Sequence, residues 1–111
     1  MPLISVIMPV KNGSKLIEAS LISVLRNTSL EDEVIVIDDH STDRTAEVAR
    51  AAATPLPIRV LQPPPLAAGW CGKTWALHHG VLASRGELLV FLDADTEPVP
   101  TFLERLLAQH D

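Results

Sequence analysis

The chain has 111 residues, the length of one typical domain, and this excludes two complete catalytic domains. Hydrophobic residues make up 47% and charged residues 21%, a balance typical of a chain that folds around a core. A net charge of −5, without any stripe of lysine and arginine, argues against nucleic acid as a partner. The single cysteine, Cys71, excludes an internal disulfide, and no signal peptide is recognisable at the amino terminus, so we expect a cytoplasmic location.

The apolar runs predict the strands of a parallel sheet. Three runs are rich in Val, Ile and Leu and do not alternate with polar residues, which is typical of strands buried on both faces. They are residues 3–8, 33–37 and 87–92, and residues 58–62 are a weaker fourth strand. Helical spacing lies between and after them, over residues 17–25, 45–53, 72–84 and a last segment that begins at Pro100. We therefore expect an α/β fold, a doubly wound and mostly parallel sheet with flanking helices.

The third helix carries small residues at one spacing. Ala76, Gly80 and Ala83 lie at positions i, i+4 and i+7, so they share one face. Such a face permits close approach to a sheet. For the second helix, Ser41, Thr42 or Asp43 is available as the amino-terminal cap.

Acidic residues follow two of the strands. Asp38 and Asp39 end the second run, and Asp93 and Asp95 end the last. Without these four, the 14 acidic residues fall to 10 against 9 basic ones, so the net charge would be −1. Ligands bind outside the carboxyl ends of the strands in open α/β sheets. The sequence therefore predicts a cleft there that holds a cation.

Asp93 and Asp95 are separated by one residue, and in extended chain both carboxylates point to the same side. Two carboxylates and a substrate diphosphate suit Mg²⁺ or Mn²⁺, which takes oxygen ligands. The alternative is a pair of solvated loop residues. Asp38 and Asp39 are adjacent and point to opposite sides. We expect Asp39 to accept a hydrogen bond from a nucleobase N–H and Asp38 to accept bonds from loop N–H groups.

Lys73 stands at the start of the third helix, where backbone N–H groups already favour an anion. It is either a phosphate ligand or a solvated lysine of the first turn. Of the two tryptophans, Trp75 is expected in the core, and Trp70, in a glycine-rich loop, is a candidate for lining a sugar or lipid pocket. His78 and His79 lie about 100° apart on a helix, which argues against a shared metal.

Four segments, in order and at matching spacing, together resemble the family 2 glycosyltransferases. They are residues 5–12 (SVIMPVKN), 34–45 (VIVIDDHSTDRT), 72–80 (GKTWALHHG) and 86–95 (GELLVFLDAD). The resemblance implies a GT-A fold, related to the Rossmann fold, that binds a nucleotide-diphosphate sugar, with a UDP-sugar favoured. It places Asp39 at the base, Asp93 near the ribose and Asp95, with Asp93, at a Mg²⁺ or Mn²⁺ ion that bridges the diphosphate. The implied donor-binding set also includes Pro9, Lys11, Asn12 and Lys73.

The sequence departs from the family pattern at three positions. Lys11 stands where many members have an aromatic residue, Gly13 where many have an acid, and His78 where asparagine is usual. Residues 63–75 look like a subgroup that acts on isoprenoid lipids such as hopanoids and carotenoids. This resemblance implies an isoprenoid-lipid acceptor and membrane association of a full-length protein.

The family's acceptor-binding half and catalytic base lie beyond the aspartate pair. We therefore expect residues 1–111 to be the donor-binding part of an inverting transferase, truncated before the catalytic base and inactive by itself. We also expect that the apolar face of the fourth helix favours self-association.

Three other interpretations remain. A non-catalytic module that binds sugar nucleotides would carry the same donor residues. A P-loop nucleotidase is suggested by residues 67–74, which nearly match G-x-x-x-x-G-K-[ST], although Ala67 replaces the first glycine. A phospho-receiver domain has a similar length, but its acidic pair should follow the first strand, and here another strand precedes the pair.

Overall fold

A single parallel sheet forms the centre of the structure, a computed structural model that describes residues 4–29, 31–52 and 58–110. Its strands in these ranges are β1 (Ile4–Val10), β2 (Glu33–Asp38), β3 (Ile58–Leu61) and β4 (Leu88–Phe91). They lie in the order β3-β2-β1-β4, and every neighbouring pair is parallel. The chain moves outward from β1 to β3 and then returns to the other side of β1. The point where this order reverses lies between β1 and β4.

Four helices cover the sheet on both sides: α1 (Ile17–Leu25), α2 (Thr45–Arg50), α3 (Gly72–Ala83) and α4 (Phe102–His110). One cluster of buried side chains joins α1, α2 and α4 to the sheet, and a second joins α3 to the opposite face. The predicted α/β, doubly wound parallel sheet is therefore confirmed. None of the helices in the described ranges is long and apolar enough to cross a membrane.

Alternation along β1 explains the two layers. Val6, Met8 and Val10 point to the side of α1 and α4, whereas Ile7 points to α3. The predicted small face of α3 is also confirmed, because Ala76 and Gly80 are buried against the sheet. A Cβ atom at Gly80 would lie 2.5 Å from Ile7 Cγ2, so glycine permits this approach.

Pro9 ends the ladder between β1 and β4. The Ile7 carbonyl accepts a bond from the Leu92 amide on the β4 side (3.1 Å), and the Val10 carbonyl accepts from the Asp39 amide on the β2 side (2.8 Å). By alternation, the nitrogen of Pro9 faces β4, where it has no proton to donate. The two strands therefore separate at their carboxyl ends, and a cleft opens between them.

The predicted burial of one strand and the predicted ends of several elements were wrong. β4 was predicted to be buried on both faces, but it is an edge strand of the described sheet, and its residues are half-buried or, at Phe91, exposed. β1 extends two residues beyond the predicted run because its pairing with β2 continues to Val10. α2 ends at Arg50, short of the prediction, whose last residue lies outside the described ranges. α4 begins at Phe102 rather than at Pro100.

The amino end of the sheet is closed by a buried carboxylate. Glu33 accepts hydrogen bonds from the Ser5 hydroxyl (2.6 Å) and the Arg85 amide (2.6 Å), and Arg59 pairs with it at 3.4 Å. Ser5 Oγ in turn accepts from the Gly86 amide (2.8 Å). Burial alone would raise the pKa of Glu33, but these hydrogen bonds and the charge of Arg59 outweigh it and lower the pKa.

Candidate functional site

A cavity of about 210 Å³ lies where β1 and β4 separate, at the carboxyl end of the sheet. This is the position at which open α/β sheets bind ligands, outside the strand ends where the strand order reverses. The cavity is lined by Pro9, Val10, Lys11, Asp39, Lys73, Ala76 and Asp93. Five of the seven predicted site residues are therefore brought together, from four separate segments of the chain.

Lys73 and Asp93 form an ion pair across the cavity, with Lys73 Nζ 2.8 Å from Asp93 Oδ1. Their side chains are 62% and 58% exposed, so both ends of the pair are open to an incoming ligand. The hydrogen bond and charge of Asp93, with the charge of Asp95, raise the pKa of Lys73. Lys73 is therefore a full positive charge at neutral pH, held at the mouth of the cavity.

Asp38 and Asp39 point in different directions, as the alternation of a strand predicts. Asp38 is buried, and its Oδ1 accepts a bond from the Ser41 amide (3.1 Å). Asp39 lines the cavity and is half-buried. One carboxylate thus stabilises the loop after β2, and the other faces the space where a ligand would bind.

The extended chain predicted at Asp93 and Asp95 was wrong. Extended chain was expected to place both carboxylates on one side, but β4 ends at Phe91 and the chain turns. The Thr96 amide donates to the Asp93 carbonyl (3.0 Å) and closes this turn. Asp93 lines the cavity, whereas Asp95 is exposed beside it and does not.

Asn12 also lies outside the cavity lining and joins the loops after β1 and β2. Its side-chain Oδ1 accepts a hydrogen bond from the Thr42 main-chain amide (2.8 Å), and its main-chain amide donates to Ser41 Oγ (2.8 Å). Its φ angle is +52°, a left-handed conformation that asparagine tolerates. The next residue, Gly13, donates its amide to Thr45 Oγ1 (2.9 Å). The two loops that border the cavity therefore form one hydrogen-bonded unit.

Asp43 completes this unit and bonds the start of α2, although the cap position predicted among Ser41, Thr42 and Asp43 is occupied by Arg44. Its Oδ1 accepts from the Thr45 amide (3.0 Å) and hydroxyl, and its Oδ2 accepts from the Ser14 amide (3.2 Å). The hydroxyl bond of Thr45 is the largest cause that lowers the pKa of Asp43, which falls to about 2.

The sequence profile of Glycosyl transferase family 2 matches residues 5–111, nearly the whole chain. The chain belongs to this family. The resemblance inferred from the four segments is thereby confirmed.

Relatives in the family act on different substrates. The 4,4'-diaponeurosporenoate glycosyltransferase of Staphylococcus haemolyticus is 36% identical over 94 residues, which is 85% of this chain and 24% of the relative. The undecaprenyl-phosphate 4-deoxy-4-formamido-L-arabinose transferase of Pseudomonas paraeruginosa is 34% identical over 116 aligned positions, covering 95% of this chain and 31% of the relative. The chain thus spans about a quarter to a third of the length of these relatives.

Solved structures of the family share the fold. Glucosyl-3-phosphoglycerate synthase from Mycobacterium tuberculosis, in complex with Mn²⁺, uridine diphosphate and glucosyl-3-phosphoglycerate, matches 96% of this chain and 39% of its own, with a TM-score of 0.78 and 33% identity. S. aureus TarS in complex with UDP-GlcNAc matches 95% of this chain and 30% of its own, with a TM-score of 0.78 and 30% identity. The sheet and helices described above are therefore those of the GT-A fold.

The residues of this family 2 chain suit a divalent metal that shares its ligands with a substrate. The described residues contain no group of three or more His, Cys, Asp or Glu side chains that could hold an ion. They do contain Asp93 and Asp95 on one turn, and the side-chain ammonium of Lys73 pairs with Asp93. Mg²⁺ usually takes one or two protein carboxylates and completes its shell with phosphates and water. The carboxylates of Asp93 and Asp95 fit that pattern.

Two cavity residues, Val10 and Ala76, were not predicted as site residues. Both are apolar, and they form the wall between strand β1 and helix α3. Ala76 was recognised as part of the small face of α3, and its small side chain leaves space in the cavity. No chemical signal in the sequence distinguishes such a wall from ordinary core.

Trp75 does not lie in the core, contrary to the prediction. It is half-buried on the outside of α3, and its Nε1 donates to the Pro64 carbonyl (2.9 Å). Trp70 packs against it, with ring centroids 5.1 Å apart, and neither lines the described cavity.

Proposed function

We propose that this chain is the donor-binding part of an inverting, metal-dependent glycosyltransferase that uses a nucleotide-diphosphate sugar. The observation that carries the proposal is the cavity at the carboxyl end of the sheet. It joins an anionic wall, Asp39 and Asp93, to a cationic one, Lys73 and Lys11. A nucleotide diphosphate needs both, because its base offers N–H donors and its phosphates offer anionic oxygens.

Within this proposal, Asp39 accepts a hydrogen bond from the base and Asp93 lies near the ribose. Lys11 and Lys73 are the cations available to the phosphates. Pro9 shapes the cleft by ending the β1–β4 ladder, and Asn12 positions the loop that carries Lys11. Structures that resemble this chain contain uridine diphosphate or UDP-GlcNAc, which favours a UDP-sugar as the donor.

In the proposed reaction, an acceptor hydroxyl attacks the sugar from the face opposite the nucleotide diphosphate, which leaves. Mg²⁺ or Mn²⁺, held by Asp95 and Asp93, would supply charge stabilisation for the leaving group. Lys73 contributes in the same direction, since its ammonium can move from Asp93 to a phosphate oxygen. The proton of the acceptor hydroxyl goes to a carboxylate that we expect beyond residue 111.

For the acceptor, we propose an isoprenoid lipid. Two of the relatives carry names that include a lipid substrate, diaponeurosporenoate and undecaprenyl phosphate. A lipid acceptor implies that the full-length protein works at a membrane from the cytoplasmic side.

Calorimetry tests the donor part directly. The chain is titrated with UDP, GDP, CDP and ADP, each with and without Mn²⁺. We expect UDP with Mn²⁺ to bind most tightly, and Asp39→Ala to weaken it by about tenfold or more through the lost charged hydrogen bond. Asp38→Asn is the matched control, because it keeps the oxygen that accepts from Ser41. If no nucleotide binds under any of these conditions, the proposal is wrong.

A second candidate is a sugar-nucleotide binding module without catalysis, because every polar residue that lines the cavity already has a role toward the donor. An assay with UDP-sugar, Mn²⁺ and an isoprenoid alcohol, whose hydroxyl is the acceptor, distinguishes the two. We expect donor binding without acceptor-dependent release of UDP. Steady acceptor-dependent release would show that a base has been missed within the chain, with Asp38, Asp43 and Glu97 as the candidates.

A further inference from the structure

Four side chains form an aromatic and apolar surface on the outside of α3 and the loop before it. We call Trp70, Trp75, His78 and Leu82 the tryptophan face. The Trp70 ring lies 5.1 Å from the Trp75 ring and 4.8 Å from the His78 ring, and Trp75 and His78 are stacked at 5.9 Å. Leu82 continues the surface one turn further along the helix.

This face lies outside the donor cavity, and at its end Leu82 borders a separate groove with Ile37 and Leu61 of the sheet. Ala76 and Gly80 fix the inner side of α3, since they are buried against the sheet beside Ile7. At 100° per residue, Trp75, His78 and Leu82 lie about 100° or more around the helix from both. Trp70 remains 40% exposed and Leu82 66% exposed. Large apolar side chains in such a position mark an interaction surface when they are contiguous.

The charge around the tryptophan face differs from that around the other helices. Residues 62–86 contain no aspartate or glutamate, although the whole chain carries 14. On the opposite side of the sheet, α1, α2 and α4 each have a glutamate in the first turn, whereas α3 has none. The charged residues of this segment are Lys73 and Arg85, both cations. A surface of this kind is not repelled by lipid phosphates.

We propose that the tryptophan face rests in the interfacial region of a lipid bilayer. Tryptophan is enriched at that depth because its ring is apolar and its N–H needs a polar partner. Trp75 already donates its N–H to the Pro64 carbonyl, so its ring can enter an apolar layer without leaving a donor unpaired. The occupant of this face is thus the bilayer surface, not a membrane span.

Contact with a bilayer would also orient the donor cavity. Lys73 and Ala76 line the cavity from the inner side of the same helix. A helix with its side chains is about 10 Å wide, so the cavity would open about one helix diameter from the headgroups. This orientation rests on the proposed lipid acceptor. Vesicle binding and nucleotide binding are measured separately, so either proposal can fail without the other.

Both tryptophans of the chain belong to this face, so intrinsic fluorescence reports on it directly. The chain is mixed with phosphatidylcholine vesicles, with and without brominated acyl chains. We expect a blue shift of tryptophan emission, protection from acrylamide, and quenching by the brominated lipid. Trp70→Gln/Leu82→Gln is expected to weaken vesicle binding by about tenfold or more, from the apolar area lost; Trp75 remains as the reporter.

The matched control is Ile22→Gln/Leu106→Gln, on α1 and α4 at the other side of the sheet, where these residues are 41% and 40% exposed. This variant should bind vesicles like the parent. Circular dichroism and UDP binding show that both variants are folded. The proposal is overturned if vesicles leave the emission unchanged, if both variants lose binding equally, or if the same blue shift follows protein concentration without lipid, which would mean that a second copy covers the face.

Discussion

The two ends of the sheet each hold a carboxylate paired with a cationic side chain, but the pairs differ in burial and in their other hydrogen-bond partners. At the amino end, Glu33 is buried and accepts hydrogen bonds from a hydroxyl and an amide in addition to Arg59. At the carboxyl end, Asp93 is mostly exposed, and Lys73 bonds one of its oxygens. The first pair has its partners supplied by the fold. The second keeps oxygens and protons available for a ligand.

This contrast separates polar residues whose partners are supplied by the fold from polar residues that stay available to a ligand. A buried carboxylate must be satisfied internally, because its desolvation is costly. An exposed pair contributes little to stability and can exchange partners at small cost. Substitutions at the two ends should therefore differ in their effects on stability and on ligand binding.

The largest effect is expected from Glu33→Ala. It leaves the Ser5 hydroxyl and the Arg85 amide without their acceptor and Arg59 without its counter-ion, which should cost about 3 kcal/mol of unfolding free energy. Urea denaturation measures this loss. Asp93→Ala is the control at the other end and should change stability little. Equal destabilisation by both variants would remove the distinction between the ends.

At the carboxyl end, Asp95→Asn is expected to abolish the Mn²⁺-dependent part of nucleotide binding, a loss of at least about tenfold. Asp38→Asn should leave most of the binding, because asparagine still offers an oxygen to the Ser41 amide. Calorimetry with UDP and Mn²⁺ compares the two. The assignment of Asp95 to the metal fails if both variants lose affinity to the same degree.

Lys73→Met removes the ammonium that pairs with Asp93. Mn²⁺ alone should then bind severalfold more tightly, since it no longer competes with an ammonium for the carboxylate. UDP should bind more weakly, because a cation for the diphosphate is gone. The raised pKa of Lys73 means that the ammonium persists above its ordinary range, so raising the pH from 7 to 9 should not imitate the variant. Unchanged Mn²⁺ affinity would contradict the competition.

The smallest effect concerns Asp43 and pH. Its pKa is about 2 in the folded chain against an ordinary 3.8, so its ionised form stabilises the fold above pH 3.8, and this contribution is lost as the pH falls through 2. Asp43→Asn should lower the urea midpoint at pH 5 and match the parent near pH 2. A constant difference between the two proteins across that range would show that the charge is not responsible.

The central strands could be predicted from the sequence because β1 and β2 are continuous apolar runs, and only burial on both faces explains such runs in a folded chain. The acidic residues at the strand ends indicated where the cavity lies, because ligands bind outside the carboxyl ends of parallel strands. The Lys73–Asp93 pair could not be predicted, since it depends on how α3 lies across the sheet. The extended chain at Asp93 and Asp95 was predicted wrongly, because the apolar run does not show that β4 ends at Phe91, two residues before Asp93.

Trp75 shows a second limit. An aromatic residue at helical spacing is usually core, and its position on the outside of α3 is decided by Ala76 and Gly80, whose small size turns that face of the helix inward. Helix orientation thus depended on the smallest residues of the segment rather than on the most hydrophobic one. The departure from the usual pattern is also what identified the tryptophan face.

Pro9 gives the sheet a gradient of local opening. Upstream of it, the β1 amides are held between two neighbours, whereas at the carboxyl end β1 pairs with β2 alone. Amide hydrogens beyond Leu92 should therefore exchange with solvent through small fluctuations, while those of Val6 and Ile35 wait for global unfolding. A missing proton on a single backbone nitrogen thus leaves the cavity end of the sheet with fewer backbone hydrogen bonds than its centre, and local opening is expected there first.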